Sequence, residues 1–362
     1  MKLDLAKHWY RSSLTCVTFI LLPFSWMFGL CAALRRALYK YHILKSYRFA
    51  VPVIVVGNIT VGGTGKTPFV IWLVHLLQAQ GYRPGIVSRG VGGKTHCQPH
   101  IVCADDKAER VGDEALLLVR NVDAPLVICK NRAAAVEHLL RHTNCNIVVS
   151  DDGLQHYRLA RDIEIAMVDG KRQFGNQQLL PAGPLREPIE RLQGVDFQVV
   201  NGGEGDNAMT LLPLSLVNVC TAKKLNFPVN NISTVHAVAG IGHPERFFAE
   251  LQRLGFTLIP HAFADHYLYA AHDLDFKDSL PILMTEKDAV KCLSFADDRY
   301  WYLKITAKIS DELKEKLLLK IKSKITTLGE QQDDDENTIS GCGNDFNCTV
   351  RSKQHGEKPS SY

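Results

Sequence analysis

The chain has no Cys-x-x-Cys pair. Its ten cysteines stand apart at positions 16, 31, 97, 103, 129, 145, 220, 292, 342 and 348, so neither a zinc site nor a dithiol redox motif is suggested. Most lie in apolar runs and are expected to be reduced core residues of a cytosolic compartment. An excess of one charge sign is missing too. A formal net charge of +4 over 362 residues is too small to argue for nucleic acid as a partner. No internal repeat occurs. The Asn-Lys-x-Asp string with which guanine-nucleotide switches read their base is absent, since the nearest stretch, Thr285-Glu286-Lys287-Asp288, has the wrong spacing. What remains is a globular chain, 46% hydrophobic, long enough for two domains with cores of their own.

The most informative stretch is Gly57-Asn58-Ile59-Thr60-Val61-Gly62-Gly63-Thr64-Gly65-Lys66-Thr67. A β-branched run, Val51 to Val56, precedes it and reads as a buried parallel strand. An apolar run from Pro68 to Leu77 follows it and reads as a helix stopped by Gly81. Strand, glycine-rich turn, Gly-Lys-Thr and helix form the phosphate-binding P-loop arrangement. Backbone amides from Thr60, Val61, Gly62, Gly63, Thr64 and Gly65 are expected to close around phosphate, with the helix N-terminus adding positive potential. Lys66 is expected to reach the outer phosphates and Thr67 to offer its hydroxyl to Mg²⁺. Thr60 stands where a first glycine is usual, and Gly62 and Gly63 supply the flexibility.

A second acidic anchor follows the run Asn146 to Ser150, in Asp151-Asp152-Gly153-Leu154-Gln155-His156. A buried strand ending in acids is the Walker B arrangement, in which one carboxylate holds Mg²⁺. Two adjacent carboxylates repel, and a bound cation relieves them. Further strands are expected at Gly85–Ser88, Leu126–Cys129, Ile163–Asp169 and Val195–Val200. Arg89 and Lys94, in the glycine-rich loop after the first of these, either meet phosphate or belong to a solvated turn. Val111-Gly112-Asp113-Glu114 opens an apolar helix, where an acidic pair commonly serves as a cap. Arg186, in a loop rich in Pro and Gly, is placed to stabilise charge on a transferring phosphoryl group. Asp265-His266 is either acid–base machinery or a structural pair.

From Ser12 to Leu34 no charged residue occurs. As a helix this run measures about 34 Å, enough for a hydrocarbon core of about 30 Å. Pro23 would kink it. Lys2, Lys7 and Arg11 flank it on one side, and Arg35, Arg36, Lys40, Lys45 and Arg48 on the other. The larger group lies after the run, which keeps the remainder in the cytoplasm. A cleaved leader and a buried core helix are the competing readings. Among membrane readings, one half-sunk in a single leaflet suits the serines, threonines and proline better than a full span. From Gly329 onward the sequence is polar and is expected to be a disordered tail.

Together Val56-Gly57-Asn58, Gly62 to Pro68, Ser88-Arg89-Gly90, Gly92-Gly93-Lys94, Val111 to Glu114, Asp151 to His156, Leu180 to Pro188, Phe263 to His266 and Thr285 to Asp288 resemble the tetraacyldisaccharide 4′-kinase family of bacterial lipid A synthesis. The resemblance covers roughly residues 10–320, with Thr60 the usual residue of the family's loop and Val91 and Leu154 replacing its usual aromatics. It implies an enzyme at the cytoplasmic face of the inner membrane that moves the γ-phosphoryl of ATP to the 4′-hydroxyl of an acylated glucosamine disaccharide 1-phosphate. It implies Asp113 as general base with His266 in support, charge neutralisation by Lys66 and Arg186, Mg²⁺ held by Thr67 with Asp151 or Asp152, and Gln155 near that metal. It implies no protein partner. The expected architecture is α/β. It has a membrane-associated helical segment at 1–49, a P-loop NTPase-like parallel-sheet domain at 50–230, a smaller α/β domain at 231–328 and a tail at 329–362.

Overall fold

The computed structural model describes residues 5–11, 13–94, 97–229 and 234–341. After a short turn of helix, α1 (Ala6–Trp9), the uncharged run forms α2 (Cys16–Lys40). Thr15 caps it: its hydroxyl accepts from the Thr18 amide at 3.3 Å, while Thr18 Oγ1 accepts from the Thr15 amide at 2.8 Å. Pro23 lies inside α2 without ending it. Burial along α2 is inverted. Thr18 and Ser25 are its buried residues, whereas Phe19, Ile20, Phe24, Trp26, Met27, Leu30 and Leu34 are exposed. Ser25 Oγ donates to Leu179 O at 2.7 Å, and a Cβ on Gly29 would stand 2.7 Å from Leu179. The small, polar face of α2 therefore seats on the body, and its apolar face points outward.

The body is built from β1 (Val53–Gly57), α3 (Lys66–Ala79), β2 (Pro84–Ser88), β3 (His100–Ile101), α4 (Ala108–Val111), α5 (Asp113–Asn121), β4 (Leu126–Ile128), α6 (Arg132–His142), β5 (Ile147–Asp151), β6 (Ile163–Asp169) and β7 (Phe197–Asn201). The chain continues through β8 (Ala208–Asn218), β9 (Lys224–Asn226), β10 (Thr234–Ala239), α7 (Pro244–Arg253), β11 (Thr257–Ala262), β12 (Ile282–Thr285), α8 (Glu286–Cys292), β13 (Tyr300–Ile309) and α9 (Asp311–Gly341). One sheet runs in the order β11-β10-β12-β13-β8-β7-β6-β1-β5-β2-β4-β3, with β9 on β8. The expected boundary at 230–231 lies outside the described residues. The region expected to be a junction holds β8, which pairs parallel to β7 and antiparallel to β13 and so carries the sheet through.

β1 sits between β5 and β6, parallel to both, and is buried over its whole length. Its side chains alternate: Ile54 and Val56 join Phe69, Leu73 and Leu77 of α3 on one face, while Val53 and Val55 pack with Val136 and Leu139 of α6 on the other. A strand covered on both faces needs an unbroken apolar run, which is why the run reads so clearly in the sequence. A second pair of clusters, around Leu251 and Leu283 and around Tyr269 and Met284, fills the β10–β13 half.

Two expectations are corrected. The stretch from Gly329, expected to be a disordered tail, begins as helix, because α9 runs through Gly329 to Gly341. A glycine inside a helix costs about 1 kcal/mol and does not forbid it, and the glutamate and glutamines that follow are good helix formers. The remainder of the expected tail, 342–362, lies outside the described residues, as does Lys2. Among the described cysteines only Cys129 and Cys292 are buried, whereas Cys16, Cys31, Cys97, Cys103 and Cys220 are exposed. The first two of those five lie on α2 and the other three outside helix and strand, so apolar neighbours in sequence did not bury them. All eight described are free thiols.

One close approach matters for the site. Gly112, at φ +91°, brings the chain so near the Arg89–Lys94 loop that a Cβ would lie 2.3 Å from Val91 O. Gly112→Ala must strain this backbone, and a loss of roughly 1–3 kcal/mol is expected in thermal melts. An unchanged melting temperature would show that the two segments are not held this close.

Candidate active site

The P-loop leaves the carboxyl end of β1 and closes at Gly65, the N-cap of α3, with φ +89°. A Cβ there would meet Asn201 Nδ2 at 2.5 Å. The loop is held on all sides. Thr60 bridges Leu185, Val61 N donates to Pro184 O at 2.8 Å, and Arg186 N donates to Ile59 O at 2.6 Å. Asn201 Nδ2 donates to Thr64 O at 3.2 Å, and Arg172 Nη2 donates to Gly63 O at 2.7 Å. Lys66 Nζ donates to Asn58 Oδ1 at 3.2 Å and lies 3.4 Å from Asp152.

β5 pairs with β1 so that Asp151 stands opposite Val56, which delivers the acidic pair beside the P-loop. The two carboxylates are driven apart in acidity. Burial raises the Asp151 pKa to about 7, with the charges of Glu114 and Asp152 adding to the rise. Burial also opposes the charge of Asp152, but Lys66 and Arg186 outweigh it and hold that carboxyl well below the usual range. Arg186 Nη1 reaches the two Asp152 oxygens at 3.2 and 3.1 Å. Asp151 Oδ2 accepts from Ser88 Oγ at 3.2 Å, while Asp151 Oδ1 is buried with no hydrogen-bond partner, as are Thr64 Oγ1 and Ser150 Oγ. Asp152 and Thr67 line one cavity, and with the buried, half-satisfied carboxylate of Asp151 they make a hard-oxygen set that suits a divalent cation of magnesium's kind. Gln155 Nε2 donates to Asn58 O at 3.0 Å and to Glu187 Oε2 at 2.9 Å.

Asp113 is the first residue of α5 and only 3% exposed. His266 Nδ1 lies 3.0 Å from both of its oxygens. Burial works against the Asp113 charge, but the His266 hydrogen bond and the charges of Lys287, His266 and Lys291 prevail and lower its pKa. That same hydrogen bond raises the pKa of His266. The pair is not simply a helix cap, since its partner comes from the loop after β11, 153 residues away in sequence.

These groups surround one cavity of about 1520 Å³. Val61 to Thr67, Asp152, Gln155, Arg186 and His266 line it. Asp113 does not: His266 and Lys287 present themselves to the cavity and Asp113 stands behind them. Phe28, Cys31, Ala32 and Arg35 bring α2 into the wall. Arg89 lines the cavity, but Lys94 faces a separate hollow among Asp105, Asp106 and Arg110. His156 also lines the cavity as a neutral imidazole, because burial and then the Arg132 charge push its pKa down to about 3.

Comparison with known proteins was decisive. The pattern of the LpxK family, tetraacyldisaccharide-1-P 4′-kinase, matches residues 17–322. The chain belongs to this family. A tetraacyldisaccharide 4′-kinase of Methylobacillus flagellatus is 49% identical over 323 residues, 88% of this chain and 95% of that protein. One of Coxiella burnetii is 47% identical over 307 residues, 84% of this chain and 91% of that protein. Among solved structures, the "apo" form of LpxK from Aquifex aeolicus in complex with ATP superposes with a TM-score of 0.71 at 29% identity, covering 84% of this chain and 99% of that one.

Within this member of the family, several site residues escaped sequence reasoning. Buried Asp169 receives Arg172 at 3.4 Å and Arg246 at 3.3 Å, and Arg172 also contacts His243. This joins α7 to the P-loop, and no spacing in the sequence announces it. Lys287 had a signal, since it lies in a motif that carried the resemblance, but no role followed from the motif. The dyad geometry makes a direct prediction. Titration of the histidines by NMR is expected to show His266 above 6.5, falling in Asp113→Asn, and His156 neutral down to about pH 4. A His266 value unmoved by Asp113→Asn would break the pairing.

Proposed function

We propose that this protein transfers the γ-phosphoryl of ATP to the 4′-hydroxyl of an acylated glucosamine disaccharide 1-phosphate. The observation that carries the reading is a single cavity lined by the P-loop lysine, by His266 and by α2. Each end of the reaction has its residues there. P-loop amides and Lys66 grip the polyphosphate. Thr67 with Asp151 or Asp152 would hold Mg²⁺, which when bound neutralises charge on the phosphates. Arg186 now rests on Asp152, within the same cluster, and is the mobile cation for charge developing on the transferring group.

At the acceptor end, Asp113 and His266 act as a unit. Their geometry favours His266 Nε2 as the atom that takes the hydroxyl proton, with the Asp113 carboxylate fixing Nδ1 and balancing the imidazolium that forms. The 4′-oxygen bonds to the γ-phosphorus, the bond from that phosphorus to the β–γ bridging oxygen breaks, and ADP leaves. Asp113 is thus the partner of the base rather than the surface that meets the sugar.

A lipid acceptor also calls for a protein docked at the bilayer. The outward apolar face of α2 supports attachment to the inner leaflet, with the cationic residues from Arg35 to Arg48 at the cytoplasmic side. α2 is long and apolar enough to cross a membrane.

Purified protein incubated with labelled ATP and the disaccharide lipid is expected to yield labelled lipid on chromatography. Label appearing only as inorganic phosphate would replace this reading with a simple ATPase. Lys66→Ala is expected to remain folded with turnover reduced by about 10² or more. Near-normal turnover in that variant would remove the P-loop from the chemistry. Deletion of residues 1–35 is expected to release much of the protein from sedimenting membranes. A truncated protein that still sediments would place the attachment elsewhere.

A further inference from the structure

α8 follows directly on β12 and presents two lysines four residues apart, so they share one helix face. That face meets the N-terminus of α5, where Asp113 and Glu114 lie. The Lys291 side chain is 1% exposed, and its Nζ, buried without an aligned hydrogen bond, lies 2.7 Å from Asp288 Oδ1 and 3.9 Å from Asp113 Oδ2. Asp288 is itself fully buried and tied down, accepting from Gly240 N at 3.0 Å, Tyr269 OH at 3.1 Å and Thr285 Oγ1 at 2.6 Å. Lys291 is therefore a fixed positive charge behind Asp113.

Lys287 Nζ lies on the cavity side. It is 3.1 Å from Glu114 Oε1, 3.4 Å from Asp265 Oδ1, 3.4 Å from His266 Nε2 and 3.9 Å from Asp113 Oδ2. An ammonium group donates only. Next to it, Nε2 must carry the lone pair, so the ring hydrogen sits on Nδ1 and points at Asp113. That is the tautomer in which Nε2 can accept a proton from a substrate hydroxyl. Glu114 and Asp265 stand ready to keep Lys287 when a hydroxyl takes its place at Nε2.

We propose that Lys287 and Lys291 are positioning residues of the phosphoryl-transfer site: Lys291 anchors Asp113 as a carboxylate, and Lys287 sets the His266 tautomer that accepts the proton. This rests on the transfer reading given above. The charged groups facing the dyad are Lys287 and Lys291 from α8, Glu114 from α5, and Asp265 from the loop after β11. Removing either lysine removes positive charge next to the pair, so the pair takes up its inhibitory proton at a higher pH.

The test compares the full chain with Lys287→Met, Lys287→Arg, Lys291→Met and Lys291→Arg, measuring kcat and KM against pH together with thermal melts. In both methionine variants kcat is expected to fall about tenfold or more, with KM for ATP unchanged and the acid limb of the kcat profile displaced to higher pH. The arginine variants are expected to keep the limb in place. If Lys291→Met does not fold, Lys287→Met decides, since its side chain is less deeply enclosed. A methionine variant with a lower melting temperature but an unmoved acid limb would make the lysines purely structural and overturn the proposal. Failure of the underlying reading looks different: the unmodified protein itself would then label no lipid.

Discussion

Parallel pairing of β1 with β5, in a register that sets Val56 across from Asp151, is the constraint on which the rest depends. Both strands end at the same edge of the sheet, so the P-loop turn and the acidic pair arrive together. Proximity then forces a division of labour. Asp152 pairs with Lys66 and Arg186 and becomes a firm carboxylate. Asp151, buried with one hydroxyl donor and an unsatisfied oxygen, is poised near neutrality. A divalent ion resolves this arrangement better than a proton does, because it satisfies the orphaned oxygen and both charges at once.

The base is assembled by a different rule. Asp113 stands on α5 in the first half of the sheet, and His266 follows β11 at its far end. Neither lies near the other in sequence, and their meeting depends on the long antiparallel pairing of β8 with β13 and on the seating of α8 against α5. Hydrogen bonding between them works in two directions, lowering the pKa of the acid and raising that of the imidazole. The two halves of the sheet thus share one chemical device, and the second half brings a histidine to a carboxylate that the first half has already buried.

What was legible in the sequence was local. The P-loop, the acidic strand end and the apolar runs of β1, β5 and β6 each draw on neighbouring residues, so spacing and composition report them faithfully. Illegible were the features set by packing at a distance. The burial of Asp113 behind His266, the hydrogen bond of Gln155 to Glu187 and the tie of Arg246 to Asp169 all come from side chains brought together across tens of residues or more. The continuity of the sheet was equally hidden, because β8 alternates exposed and half-buried residues and pairs with strands on either side of it in sequence. Exposure of Cys31 shows the same limit from the other side: an apolar run does not say which of its faces will be covered.

α2 turns that limit into an argument. Seven large apolar side chains on it are more than half exposed, and leaving such a face in water forfeits on the order of 10 kcal/mol of burial. That is comparable to the whole net stability of a domain, so a face of this kind calls for a cover. Among the described residues none provides one, since α2 spends its polar side on Leu179 and holds the apolar side away. The helix also supplies a wall of the cavity through Phe28, Cys31, Ala32 and Arg35, so whatever covers it adjoins the place where the acceptor enters. Under the proposed reading, an acceptor that is itself a lipid would fit both facts: its bilayer would cover the outer face, its sugar would lie in the cavity, and it would not need to leave the membrane to reach His266.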